Sequence, residues 1–440
     1  MLETSLKHFR ELFLRHYKNS IWPVLEQVSV PFVMVIGIPV FMKYLGAEQY
    51  GIWILINSVT SFVGVFNFGI GPSIIKFVSK YRALNNFEKI KNVINNVMLL
   101  SLAIFVFIML IGVGILAYLK NHNFFNISAA YYPVFLFSIF MEFLIVGLRM
   151  MEQHLFSILK AYERFDISSQ IAIVTRNIPI IVNVVLAYKG FGLKVIFIST
   201  LLVTLVGVIF EYFYINFRFI NVNIFSGFNI GVLKEIGGFS LLAWVQSISG
   251  LFSNQLDRLI FSKLAGVANL PYYFIGINVM YFIHGIFAAA CGFLFPLISK
   301  KFELERNISG VYRKAQTFVV GSGVLFILLI FLSRTFLFKF WLGEATYIQA
   351  IKYIEIFLIA EVFMLLTIIP YYTFLGTGYV YFNVSYLSLL LILQILFMFV
   401  FYNVYGMLGL AWGKALAIAI SSVFATFMVR LKFNIGKIQG

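Results

Sequence analysis

Charge and cysteine are what this sequence has least of. Only 11% of its 440 residues are charged, where a soluble domain carries about a quarter. Hydrophobic residues make up 61%, and mean hydropathy is +0.96. A soluble core of this size would leave a greasy surface, so the composition excludes an ordinary soluble protein and points to a polytopic membrane protein. The one cysteine, Cys291, excludes an intrachain disulfide and any cysteine-based metal site. The five histidines, His8, His16, His122, His154 and His284, have no ligand spacing and read as isolated residues with no metal among them. No GxxxxGK[ST] loop is present, which argues against an ATP-driven pump in one chain. No G-x-S-x-G, HExxH or paired-carboxylate motif falls on an accessible loop, so no catalytic residue is assigned.

What is present is a series of apolar runs. A helix needs about 20 residues to cross a bilayer, and helices satisfy every backbone group internally. Twelve runs qualify: 21–43, 50–72, 93–118, 131–151, 168–188, 195–217, 236–262, 272–298, 315–333, 350–375, 379–402 and 406–430. The first follows a basic stretch, contains Glu26, lacks a small-residue cleavage site, and reads as an uncleaved span. With the N-terminus and alternate connections on one side, 22 of the 33 Lys and Arg fall there, eight fall opposite, and Arg176, Lys352 and Lys414 lie inside spans. That bias predicts twelve crossings with both termini cytoplasmic. It also accounts for the net charge of +16 without nucleic acid. The connections 73–92, 152–167 and 299–314 mix charge with apolar residues, such as Ile74, Phe77, Val78, Tyr81 and Leu84, and predict short helices lying in the interface. Outer connections are short, so the activity lies within the bilayer.

The two halves echo each other. KYLGAEQYGIWILIN (43–57) resembles KLAGVANLPYYFIGIN (263–278), and KGFGLKVIF (189–197) resembles YGMLGLAWGKA (405–415). Gly46 and Gly266 are 220 residues apart, and Gly190 and Gly406 are 216 apart. An even repeat of six spans places the halves parallel, as lobes 1–218 and 219–440 around a central cleft, an arrangement of alternating-access carriers.

Polar residues within the spans mark candidate sites. On a helical wheel Gln246, Ser249, Gly250, Ser253 and Asp257 share a face, with Asn254 and Arg258 on the adjacent rows and Trp244 on the apolar side. Asp257 and Arg258 are neighbours, so their side chains diverge by about 100°. A structural role for the pair is favoured, with Arg258 snorkelling to the interface and Asp257 at the cleft mouth or capping a partner helix. Asn57, Ser61, Gly64, Asn67 and Gly71 form a similar stripe in the second span. Arg176 lies near mid-span, at a cost of about 2.5–3.5 kcal/mol on the insertion scale. It is read either as an anion site or as a pair with Glu26, Glu142 or Glu211. Those acids, and Glu361, are candidates for H+ or Na+ coupling or for packing. His284, Lys352 and Lys414 are open between lining and snorkelling or hydrogen bonding.

Several stretches together resemble the O-antigen flippases (Wzx type) and related polysaccharide exporters of the multidrug/oligosaccharidyl-lipid/polysaccharide exporter superfamily. They are YLGAEQYGIWILINSVTSFVGVFNFGIGPSIIKF (44–77), QLDRLIFSKLAGVANLPYYFIGIN (255–278), FKFWLGEATY (338–347), PYYTFLGTG (370–378) and YGMLGLAWGKALA (405–417). The family often has Asp where Asn67 stands, so Asn67 is given no charge role. The resemblance implies an all-α membrane protein with two six-helix lobes in a V around a central cavity. It also implies a bacterial inner-membrane location, and movement of a polyprenyl-diphosphate-linked oligosaccharide from the cytoplasmic to the periplasmic leaflet. Membrane lipids, an O-antigen polymerase and chain-length machinery are the implied partners. A diphosphate needs cations and a glycan needs polar walls. On physical grounds Arg176, Lys76 and Lys414 are diphosphate candidates, and Asn57, Ser61, Asn67, Gln246, Ser253, Asn254 and Asp257 are glycan-lining candidates. Glu26, Glu142 and Glu211 are the ion-coupling candidates, and no other cofactor is expected. The rival readings are a drug/cation antiporter of the same superfamily, which would favour acids over Arg, and a membrane-embedded polymerase or glycosyltransferase, which would carry a large outer loop with catalytic acids or arginines.

Overall fold

The computed structural model describes the backbone of residues 2–220, 230–292, 294–305 and 307–433, and the side chains of these except 2–20, 24, 230–243, 245–247, 249 and 296. Every regular element among the described residues is helical. In chain order they are α1 (Leu2–Tyr44), α2 (Gly46–Ser61), a 3₁₀ turn (Phe62–Asn67), α3 (Ile70–Ala83), α4 (Phe87–Asn121), α5 (Tyr132–Ala161), α6 (Phe165–Tyr188), α7 (Leu193–Arg218) and α8 (Ile230–Ala265). There follow α9 (Leu270–Ala290), α10 (Leu294–Glu305), α11 (Ser309–Leu342), α12 (Glu344–Met364), α13 (Ile368–Gly376) and α14 (Tyr381–Lys432).

Ten helical stretches among the described residues are long and apolar enough to cross a membrane. The longest, the 52-residue α14, breaks at Gly406, whose φ of 60° and ψ of −139° lie outside the helical region. Each arm of α14 then has the length of one crossing. The 36-residue α8 has the length for another, which accommodates the twelve spans expected. The protein is a multi-pass, all-helical membrane protein.

The helices cluster into two compact units. The first holds Met1–Leu45 and Val59–Ile248, the second Gly46–Ser58 and Ser249–Gly440. In the first, α5 is the hub, packing on α3, α4 and α7, while α1 lies along α6. In the second, α12 is the hub, packing on α9, α11 and α14. The opening of α2 belongs with the second unit because Gly51 lies against the Val267 carbonyl, where a Cβ would collide with backbone, and Tyr50 meets Phe274 edge-on.

The echoing glycines share a backbone role. Gly46 and Gly266 have φ of 78° and 83°, and Gly190 and Gly406 have 82° and 60°. These left-handed values cost a residue with a Cβ free energy and cost glycine nothing.

Three expectations need correction. The second span is not one continuous helix: α2 gives way to the 3₁₀ turn, then Phe68 and Gly69 in the left-handed region, before α3 begins. The stripe from Asn57 to Gly71 is therefore not a single helical face. The stretch 152–161 is no separate interface helix, because α5 runs unbroken to Ala161 and buries Glu152, His154, Leu155 and Phe156. Ile74, Phe77, Val78 and Tyr81 do fall on one helical face, but α3 presents it to α4 and α5 and buries it.

Candidate functional site

Each unit carries its own intramembrane polar cluster. In the first, α1 and α6 pack lengthwise, and the Arg176 Nη1 donates to the Glu26 Oε1 at 2.8 Å. Three prolines interrupt the α1 ladder, and Pro179 interrupts α6 one turn past Arg176. Each frees a carbonyl that neighbouring side chains or local adjustments must satisfy. Next to the ion pair, the Asn177 amide donates both to the Ser29 Oγ at 2.9 Å and to the Ile173 carbonyl at 2.7 Å. Arg176 also lies over the Phe156 ring of α5 at 5.8 Å. Its side chain keeps 45% of its surface exposed, so the pair is open to an incoming group.

Two further carboxylates stand within electrostatic reach of Arg176. Glu152 on α5 feels Arg176, Arg149 and Glu26, and Glu211 on α7 feels Glu152 and Arg176. Both are buried, and among the described residues neither Glu211 oxygen has a hydrogen-bond partner. Arg176, Glu26 and Glu211 thus come together around Glu152, a residue that the sequence reading had placed in a connection. Glu142 is also buried on α5 and is coupled to Arg149, two turns along. Lys76 is exposed on α3, over the Phe77 ring at 5.5 Å.

Beside this cluster lies an uncharged chain. The Asn67 Nδ2 donates to the Gln153 Oε1 at 2.9 Å, its Oδ1 lies 3.3 Å from the His154 Nε2, and the His154 Nδ1 lies 2.6 Å from the Ser101 Oγ. His154 is therefore not isolated. Nothing in its sequence spacing signals this, because its partners are 53 and 87 residues away.

The second unit is built around a sealed pair. The Lys414 Nζ meets the Asp257 Oδ2 at 2.9 Å with 1% and 0% of the two side chains exposed. The Tyr273 hydroxyl donates to the same carboxylate oxygen at 2.7 Å. The Lys414 Nζ also donates to the Tyr281 Oη at 3.5 Å, and the Tyr281 hydroxyl donates to the Asn254 Oδ1 at 3.1 Å. Arg258 turns the other way, over the Phe274 ring at 4.8 Å with an Nη1 bond to the Gln255 Oε1 at 3.0 Å. The adjacent acid and base thus diverge as the helix requires, and Asp257 points inward to a base 157 positions along the chain. His284 pairs with the buried Glu361 at 3.2 Å. Of the lining candidates, Ser253 is buried with its Oγ donating to the Leu387 carbonyl, and Asn57 donates to the Trp53 carbonyl one turn back. Ser61 ends α2 in the first unit, half-buried. The Gln246 side chain lies outside the described residues.

Known proteins resemble the chain in sequence and in fold. A Shigella flexneri protein assigned as an O-antigen transporter is 22% identical over 363 residues, covering 80% of this chain and 83% of that protein. An inward-facing multidrug-resistance MATE family transporter of the MOP superfamily superposes with a TM-score of 0.72 at 18% identity, covering 95% of this chain and all of that one. A MATE structure in the straight conformation gives 0.61 at 18% identity, covering 96% of each chain. At these identities the likeness is one of fold. A family profile described as "Polysaccharide biosynthesis protein" matches residues 16–302. With that match over more than half its length, and with the fold of the MATE transporters, the chain belongs to the polysaccharide biosynthesis protein family.

Proposed function

We propose that the protein is a flippase that moves a polyprenyl-diphosphate-linked oligosaccharide across a bacterial inner membrane by alternating access, with both termini cytoplasmic. The observation that carries this reading is a half-exposed guanidinium held inside the membrane of a polysaccharide-family protein. A charge at that depth is costly and is retained where it faces a cavity and binds something. The cargo's diphosphate is a bidentate anion suited to Arg176, which would trade Glu26 for it. Lys76 is a second exposed cation. Lys414 is the weakest of the three candidates, because its charge is already neutralised by Asp257. The amides of Asn57, Asn67 and Asn254 and the Ser61 hydroxyl suit a glycan, and the prenyl tail needs only lipid. Protein–protein contact with an O-antigen polymerase and chain-length machinery belongs to the same reading.

Ion coupling is assigned to the acids around Arg176. Glu26, Glu152 and Glu211 outnumber the two bases that reach them, Arg176 and Arg149, and among the described residues neither Glu211 oxygen has a hydrogen-bond partner. When the diphosphate takes Arg176, this group must take up H+ or Na+ to stay near neutral. The same surplus of acid favours a second reading, a drug/cation antiporter. A vesicle assay separates them. Labelled lipid-linked oligosaccharide should cross the bilayer only with the protein present, faster under an H+ or Na+ gradient, and Glu211→Gln should remove the gradient's effect. Drug resistance conferred by the protein, with no movement of the labelled lipid, would overturn the flippase reading in favour of the antiporter.

A further inference from the structure

The break between α2 and α3 carries an unassigned set of groups, all within the first unit. Phe68 sits in the left-handed region at φ 47°, strained for a side chain with a Cβ, and is 41% exposed. Trp244 of α8 fixes the segment from outside: its indole N–H donates to the Val65 carbonyl, and its ring lies 5.5 Å from that of Phe68, tilted by 36°. Phe66 adds a third ring, 6.2 Å from Phe68. Beside these rings runs the chain of hydrogen bonds from buried Ser101 and His154 through Asn67 to Gln153. The Ser101 hydroxyl donates its one proton to the Val97 carbonyl at 2.7 Å, so the His154 Nδ1–H donates to the Ser101 Oγ and the His154 Nε2 is an acceptor. With the two amides turned over, the Asn67 N–H donates to that Nε2 and the Gln153 N–H to the Asn67 oxygen. That order uses each proton once and leaves the Gln153 carbonyl oxygen and its second N–H at the exposed end.

Irregular backbone at membrane depth is tolerated only where protein covers it or where it lines a water-filled space. Exposed Gln153 at this break fits the second case, and lipid would not hydrate it. We infer that Phe68 and Trp244, with Asn67 and Gln153, form a sugar-binding platform. The aromatic faces would take the C–H face of a pyranose ring, and the amides would take its hydroxyls. His154 and Ser101 act as positioning residues that hold the Asn67 amide. This rests on the glycan-transport reading above and adds to it a second contact point, uncharged and separate from Arg176.

The test uses the full-length protein in lipid nanodiscs and two probes: polyprenyl diphosphate carrying the host's oligosaccharide, and the same lipid without sugar. Apparent Kd comes from the shift in melting temperature across a titration. The wild type should bind the glycosylated lipid more tightly. Gln153→Ala and Trp244→Ala should each weaken that binding about tenfold, the size of one lost contact, and leave the bare lipid's Kd unchanged. Trp244→Phe keeps a ring and should retain most of the affinity, which separates stacking from damage to the fold. If Gln153→Ala and Trp244→Phe bind normally and Trp244→Ala also binds the glycosylated lipid as the wild type does, the platform is wrong and the glycan reading stands. If the wild type does not distinguish the two lipids, both fall.

Discussion

Arg176 and Lys414 are both intramembrane cations held by a carboxylate, at 2.8 and 2.9 Å, yet Arg176 keeps 45% of its side chain exposed and Lys414 keeps 1%. Their partner acids also lie at different distances from the ends of their helices. Helices α1 and α8 end just before the equivalent glycines Gly46 and Gly266. Glu26 stands 18 residues before the end of α1 and Asp257 eight before the end of α8, about 27 Å and 12 Å along the helix axis. Lys414 lies eight residues past the Gly406 break, again about 12 Å in. The glycine turns therefore agree in φ while the charged pairs stand at different distances from them. The first unit has more acids than bases at an open site. The second has a balanced pair, sealed and bonded to two tyrosines. A surplus can take up a cargo's partner ions, whereas a balanced buried pair resists change.

The largest effect should come from breaking the sealed pair. Lys414→Ala leaves Asp257 buried without a counter-charge, and removing one member of such a pair costs about 3–5 kcal/mol. The measurement is thermal unfolding in detergent. Replacing both members, as Lys414→Met with Asp257→Leu, should recover most of the loss, because an apolar pair of similar volume can substitute for a buried ion pair. If Lys414→Ala melts with the wild type, the pair is not the structural lock described here, and the contrast between the halves weakens.

The next effect tests whether the halves share a frame. Gly46→Ala and Gly266→Ala each force a Cβ onto a backbone of positive φ, at about 1–3 kcal/mol apiece. Neither site has a neighbour within reach of the added methyl, so the cost is backbone strain and should be nearly equal in the two halves. Unequal losses in the same unfolding assay would show that the turns, despite matching φ, are not equivalent.

Much of this frame was legible in the sequence. Apolar runs gave the crossings because each exceeds the bilayer's thickness, and the glycine spacing marked four turns of positive φ because glycine alone takes those turns freely. What hydropathy hid were places where polarity and helix end do not coincide. Glu152, Gln153 and His154 lower local hydropathy, so hydropathy ends the span before them. In the structure α5 continues, and Glu152 and His154 turn into the protein rather than toward water. The reverse happens at FVGVFNFGIG: an unbroken apolar run conceals a 3₁₀ turn and two left-handed residues. Neither Lys414–Asp257 nor Arg176–Glu26 is local in sequence, and a single sequence gives no distance between such partners. It could offer Glu26 only as one of three acids for Arg176.

The smallest effect on stability should accompany the largest on function. Arg176 is half-exposed, so its bond to Glu26 is screened and worth less than about 1 kcal/mol. Arg176→Ala should therefore leave protein level and melting temperature close to wild type while abolishing display of the glycan at the cell surface. Arg176→Lys retains the charge but loses the planar fork that grips two oxygens at once, so it should restore display only in part. The comparison between the halves turns on this result. If Arg176→Ala destabilised the protein as much as Lys414→Ala, the first unit's pair would be as structural as the second's. If the glycan appeared normally, Arg176 would be removed from the path of the cargo, and the open cluster would be left with coupling as its only role.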